Sequence, residues 1–231
     1  MKRALLHNIV VVLVCSAFSF AQSGGSLEKV LNEMDRASVN FKSAQANFDW
    51  DQYTKVVNEH DTQQGTIYFR RESKGTQMAA DITHPDKKYV VFSGNTVQVF
   101  QPSMDQITEY NVGKNKSEVE SFLVLGFGGS GHELQKSFEV KYDGPETVNG
   151  IQTQKLELTP KSKTVAANFS KIILWIDPKE GVSVQQQLIS PSGDYRLAKY
   201  SNIKLNKNIP SDVFKIKKGP NTKVIKPQTG M

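Results

Sequence analysis

His60, His84 and His132 are the candidate metal ligands and general bases of this 231-residue chain once its leader is set aside. None is paired with another at the H-x-x-x-H spacing that puts two imidazoles on one helix face. The single cysteine, Cys15, lies in the leader and cannot complete a thiolate set. Asp49 and Asp51 share a strand face and could act as an acid and base pair. Their alternation with Phe48 and Trp50 instead turns them to solvent. No G-x-S-x-G elbow is present to raise a serine nucleophile. Gly126 to Gly131, GFGGSG, matches G-x-G-x-x-G in letters. A pyrophosphate site needs a βαβ unit around that motif, and here the flanks read as strand after strand. No enzyme, metal or cofactor is therefore expected.

One residue is out of place. In GTIYFRRE, Gly65 to Glu72, Ile67, Tyr68 and Phe69 suit a pleated surface. Alternation puts Arg71 on the face of Ile67 and Phe69, where a core should lie, and Arg70 on the polar face, where it needs no special account.

The elements that must position these groups start after a leader. MKRALLHNIVVVLVCSAFSFAQ has the layout of a secretory signal peptide over residues 1–21. Lys2 and Arg3 form the charged end, Ile9 to Phe20 the apolar run, and Ser19-Phe20-Ala21 the cleavage site. The run is too short to span a bilayer. Lipid attachment at Cys15 is the other alternative, with Val14 a poor fit to a lipobox. Cleavage lowers the net charge from +6 by the two leader cations. The mature chain is then mildly basic, without disulfides, in an exported compartment. Basic residues are scattered except in the tail, which argues against nucleic acid.

Leu27, Val30, Leu31, Met34, Ala37, Ser38 and Phe41 follow helical spacing behind Ser26 as N-cap. The period then changes to two: Ala46, Phe48 and Trp50 alternate with polar residues. Further strands are read at GTIYFRRE, TQMAADITHP, the hairpin KKYVVFSGNTVQVFQP and DQITEYNV. KSEVESFLVLGF reads as a short, unusually apolar helix, and HELQKSF as a second helical piece. FEVKYDG, IQTQKLELTP, SKIILWIDP, GVSVQQQLIS, DYRLAKYSNIKL and DVFKIKK complete the strands. No linker or repeat interrupts the chain. The expectation is a mainly β fold with few helices: one antiparallel sheet of about eleven strands over residues 22–218, and a basic loop-like tail over 219–231. A sheet this long curls towards a barrel, and a short helical plug or lid over its hollow leaves an apolar pocket.

In the order of its elements the mature chain resembles the periplasmic outer-membrane lipoprotein carrier proteins (LolA-like). The resemblance rests on the amphipathic helix, the strand Gly65 to Arg71, His84-Pro85-Asp86, the hairpin Val90 to Pro102, Leu156 to Lys161, and Asp212 to Ile216. It implies a half-barrel whose cavity shields acyl chains of lipoproteins moving from inner to outer membrane. An inner-membrane lipoprotein-releasing ABC transporter would hand over the cargo, and an outer-membrane acceptor, or the membrane itself, would take it. A periplasmic monomer with no nucleic-acid partner is expected. Arg71 matches the family's lid latch, which bonds carbonyls of the lid; the alternative is an Arg71 that snorkels to the barrel rim and pairs with a carboxylate. Phe48, Trp50, Ile67, Phe69, Val97, Val99 and Leu174 are expected to face the cavity. Phe122, Leu123, Leu125 and Phe127 would form the lid, and Gly126, Gly128 and Gly129 its hinge. Glu72 replaces a usual proline, and the glycine-rich insert is a second departure. Lipid- or protein-binding sensor modules of the envelope share this fold and are the alternative.

Overall fold

Alternating burial runs through the strands and bends them into one layer. The computed structural model describes residues 23–73, 75–113, 116, 119 and 125–227, with side chains from Leu27 onward. Expectations for the leader, Cys15, most of the 116–124 segment and residues 228–231 lie outside the described residues.

Helix α1 spans Ser23–Asn40, so it begins before Ser26, which lies within it rather than capping it. Strands β1 (Ser43–Thr54), β2 (Glu59–Glu72), β3 (Gly75–His84), β4 (Lys88–Ser93), β5 (Thr96–Gln101) and β6 (Gln106–Asn111) follow. Lys116 and Val119 are helical. Then come α2 (Gly131–Ser137), β7 (Phe138–Val148), β8 (Ile151–Pro160), α3 (Lys163–Asn168), β9 (Lys171–Asp177), β10 (Val182–Ile189), β11 (Tyr195–Leu205) and β12 (Lys223–Ile225). The sheet order is β12-β6-β5-β4-β3-β2-β1-β11-β10-β9-β8-β7. Every pairing is antiparallel except that of β12 with β6. With β7 and β12 as its two edges, the sheet is an unclosed barrel of twelve strands.

Three local readings change. DVFKIKK is not a strand: Ser211–Phe214 make a 3-10 turn after Pro210. The reason is burial, because Ile209 and Phe214 pack on Ala79 and Val91 of the outer face instead of joining a ladder. The tail is not all loop: Lys223–Ile225 pair with Gln106–Thr108 and supply the twelfth strand. Lys163–Asn168, to which the sequence pattern assigned no element, forms α3.

The outer face also corrects the reading of Arg70. Its guanidinium donates to the Ile209 carbonyl at 3.2 Å and the Ser211 hydroxyl at 3.1 Å, and to Gln77 Oε1 at 2.8 Å. It lies 4.5 Å from the Phe214 ring centroid. Glu72 pairs with its Nε at 2.8 Å, which gives the residue in the usual proline position a role. Arg70 thus fastens the C-terminal segment to the sheet.

Inside the curve, α1 lays Val30, Leu31 and Met34 on Leu156, Leu158, Ile172 and Leu174. The α1–α2 contact is locked by polar groups. Ser130, the N-cap of α2, donates to Asp35 Oδ1 at 2.5 Å. His132 bonds the same carboxylate through Nδ1 and Glu28 Oε1 through Nε2 at 3.1 Å. The hydrogen bond to Asp35 chiefly raises the His132 pKa above its ordinary 6.5. Burial pushes the Asp35 carboxyl up, but its bonds to Ser130 and His132 outweigh that and hold it below its ordinary 3.8.

Two outcomes follow from these contacts. The raised imidazole contributes fully below pH 6.5 and loses its contribution as pH rises through the raised value. The lowered carboxyl contributes above 3.8 and fails as pH falls through its lowered value. Amide exchange of residues 130–137, corrected for intrinsic rate, should be slowest between those limits and should speed up as pH rises through the raised imidazole value. His132→Gln should flatten the alkaline side, and an unchanged profile would refute the lock. On the outer face, Phe214→Ala should lower stability in urea by about 3 kcal/mol, and a loss under about 1 kcal/mol would show that the segment is not fastened there.

Candidate functional site

The concave face has two halves, and they are covered differently. One half, built by β8 and β9, lies under α1 and α2, with Leu134 and Leu125 in the same buried cluster. The other is built by β1, β2, β3 and β11 from Ala46, Phe48, Ile67, Phe69, Ala80 and Tyr200. Its cover includes one inserted ring. Phe127, 1% exposed, stacks on Phe69 at 5.1 Å and meets Tyr200 edge-on at 4.9 Å. Phe41, just past the end of α1, completes this packing.

Residues Leu125–Gly128 form a turn pressed into the hollow. A buried turn brings carbonyls that must be bonded, and each donor is identifiable. Gln186 Nε2 donates to the Leu125 carbonyl. The Ser183 amide donates to the Gly126 carbonyl at 2.7 Å. A register shift at Ser183–Gln185 interrupts the ladder with β9, and Ser183 N–H turns to the Gly126 carbonyl there. The Gly128 carbonyl accepts twice, from Ser38 Oγ at 2.8 Å and Arg71 Nη2 at 2.6 Å. Arg71 Nη1 also donates to the Ser38 carbonyl, at 2.7 Å. The turn requires glycine at two positions. Gly126 and Gly128 have φ of +83° and +80°. A Cβ on Gly126 would lie 2.4 Å from Ser183 Cβ, and one on Gly128 2.3 Å from the Phe41 ring.

Arg71 lies on the face of Ile67 and Phe69, but not in the apolar interior expected for it. It pairs with Thr76 near the end of β2, and its side chain reaches the rim, where it is exposed. Its guanidinium sits 5.4 Å from the centroid of Phe41. Solvent access makes its unpaired state less costly than full burial would.

The other expected cavity residues fall into three groups. Phe48, Ile67 and Phe69 surround Phe127, with half-buried Trp50 stacked on Phe48 at 4.2 Å. Leu174 lies in the other half, under α1. Val97 and Val99 continue the concave face through their partners Phe92 and Val90, but are only half-buried and lie outside the packing around Phe127. Of the expected lid residues, Leu125 and Phe127 are buried in different halves, while Phe122 and Leu123 lie outside the described residues. Gly126 and Gly128 are buried and Gly129 half-buried.

A groove of about 530 Å³ opens beside the Arg71 corner, between the last turns of α1 and the Pro178–Glu180 turn, with Phe41, Val182 and Leu205 on its wall. The catalytic alternatives do not gather here. Asp51 bonds His60 at 2.8 Å on the outer face, Asp49 is exposed, and His84 and His132 stand on other elements. Among the described residues no three His, Cys, Asp or Glu side chains form a metal-type group. Ser38, Ser183 and Gln186 were not legible as site residues. The run Gln185–Gln187 hinted at polar groups within an apolar strand, but the bulge before it hides which face each takes.

This chain is similar in fold to several solved structures. An uncharacterized conserved protein from Thermus thermophilus superposes with a TM-score of 0.57 at 10% identity, over 87% of this chain and 99% of that one. MucB superposes with a TM-score of 0.53 at 14% identity, over 84% of this chain, which spans 63% of MucB. No curated protein matches the chain in sequence. The family model described as outer membrane lipoprotein carrier protein LolA matches residues 39–217, a span holding Arg71, the Leu125–Gly128 turn and every strand but β12. The chain belongs to the LolA family of outer membrane lipoprotein carrier proteins.

Proposed function

We propose that this protein is a periplasmic carrier that takes the acyl chains of lipoproteins into its concave face and moves them from the inner to the outer membrane. The observation that carries the reading is the Phe127 turn: an apolar ring on a tight loop occupies the hollow and is tied to the rim by Arg71. An acyl chain entering by the groove beside Phe41 would take the place of that ring. Family membership supports this cargo class. Hand-over from an inner-membrane ABC transporter and delivery to an outer-membrane acceptor are part of the proposal.

Burial of hydrocarbon is worth about 0.8 kcal/mol per CH₂, so capture is easy and release is the harder step. A closed state that competes with cargo makes release possible. In this reading Arg71 is the latch of that closed state, Phe127 its plug, and Gly126, Gly128 and Gly129 the hinge that lets the turn swing away. The latch is exposed at the rim, so its contribution is discounted to about 1 kcal/mol, or a factor of about five in the closed–open balance.

Gently purified protein from an envelope fraction should carry acylated species in native mass spectrometry. Consistently bare protein, inert to acylated peptides, would overturn the carrier reading, and a stable non-acylated partner would favour a sensor module instead. Arg71→Leu should fold normally, hold an acylated peptide about fivefold more tightly and pass it more slowly to acceptor vesicles. Gly128→Ala, whose Cβ collides with Phe41, should shift both quantities the same way. Unchanged release in both variants would sink the latch.

A further inference from the structure

One position interrupts the apolar concave face. Gln186 is 8% exposed, and its register partners are Leu174 on β9 and Ala198 on β11. An amide there costs stability unless both of its ends are bonded. Its Nε2 donates to the Leu125 carbonyl, and its Oε1 accepts from the Tyr200 hydroxyl at 3.3 Å. Tyr200 is 7% exposed, and burial pushes its phenol far up, so it keeps its proton. Trp50 also pairs with Ala198, and its buried indole N–H is directed to the Tyr200 hydroxyl without a well-formed hydrogen bond among the described residues. The apolar floor thus carries one side-chain donor, Gln186 Nε2, oriented by a hydroxyl and bonded to the removable turn.

The turn shows what that donor bonds to. It offers apolar side chains, Leu125 and Phe127, next to backbone carbonyls. An acyl ester or amide has the same layout, a hydrocarbon ending in a carbonyl. A ligand that lifts the turn takes the Leu125 carbonyl away from Gln186. Plain hydrocarbon leaves the buried amide unpaired, whereas an acyl carbonyl at that depth replaces the lost acceptor. We infer that Gln186, oriented by Tyr200 and flanked by the Trp50 N–H, is a carbonyl-recognition subsite, so that the hollow selects O-acyl and N-acyl chains over ether-linked or free hydrocarbon of the same length. This inference rests on the acyl-carrier reading and names the chemical group by which that site recognises its load.

The test compares two probes on the mature protein, a diacylglyceryl peptide and its dialkyl-ether analogue with chains of equal length, by competition against a fluorescent acyl ligand. The unaltered protein should bind the ester about tenfold more tightly, the scale of one buried hydrogen bond. Gln186→Leu should bring the ratio to about one, chiefly by raising affinity for the ether, which then leaves no buried amide unpaired. Tyr200→Phe keeps the ring against Phe127 but removes the orienting hydroxyl, and should give a ratio in between. Circular dichroism and thermal unfolding establish that each variant is folded; if Gln186→Leu is not, Tyr200→Phe decides. Equal binding of the two probes by the unaltered protein, or a full ratio in a folded variant, overturns the subsite and leaves the carrier standing. Binding of neither probe overturns the carrier reading and the subsite with it.

Discussion

An apolar hollow cannot be left open to water, and the concave face of the twelve-stranded sheet is such a hollow. Twist curls a sheet of this length, and the buried inward residues of β1, β2, β3, β9 and β11 are aliphatic or aromatic. The chain has little helix to spend on a cover. α1 and α2 serve one half, and the other relies on a four-residue turn with one aromatic ring. A turn driven into an apolar space carries backbone carbonyls that need donors. The sheet and rim supply them: an amide released at the β10 bulge, the Gln186 side chain, the Ser38 hydroxyl and the Arg71 guanidinium.

The two halves therefore differ in how readily they can open. Under α1, Leu31, Leu156, Leu158, Ile172, Leu174 and Ile176 are fully buried and mutually packed. Separating them would expose a large apolar area with nothing to take its place. Over β1 and β2 the contact is the rings of Phe127 and Phe41 and a handful of hydrogen bonds, several at the exposed rim. On the proposed reading an incoming apolar chain would replace the Phe127 ring's burial, and solvent would replace the rim bonds. Opening on one side only is what a carrier of acyl chains needs, because the fold then survives loading.

Arg70 and Arg71 show how one strand serves two layers. They are adjacent, so the pleat sends them to opposite faces. Arg70 fastens the 209–217 segment to the outer face, with Glu72 and Phe214 around it. Arg71 ties the turn to the rim of the inner face. A one-residue slip of β2 would exchange these roles and leave both attachments unmet, so the register against β1 and β3 matters at both faces.

Much of the fold was legible in the sequence. Alternation in Ala46–Trp50 and in Ile67–Arg71 assigned faces correctly, and the helical spacing of Val30, Leu31 and Met34 identified the buried stripe of α1. Period and residue type are local properties, written along a few successive residues. The segment Asp212–Ile216 was misread because its apolar residues fit a strand, while only the outer face decides that they pack as a turn. The donors of the site were hidden for a related reason. Gln186 meets Leu125, and Arg71 meets Gly128, across 61 and 57 residues, and the β10 bulge resets which side chains face inward. The sequence by itself determined a curved sheet with an apolar inside and an arginine on its inward face. Tertiary structure alone decided which carbonyls that arginine and that glutamine hold, because hydrogen bonds between distant segments depend on register, bulges and burial that no local pattern records.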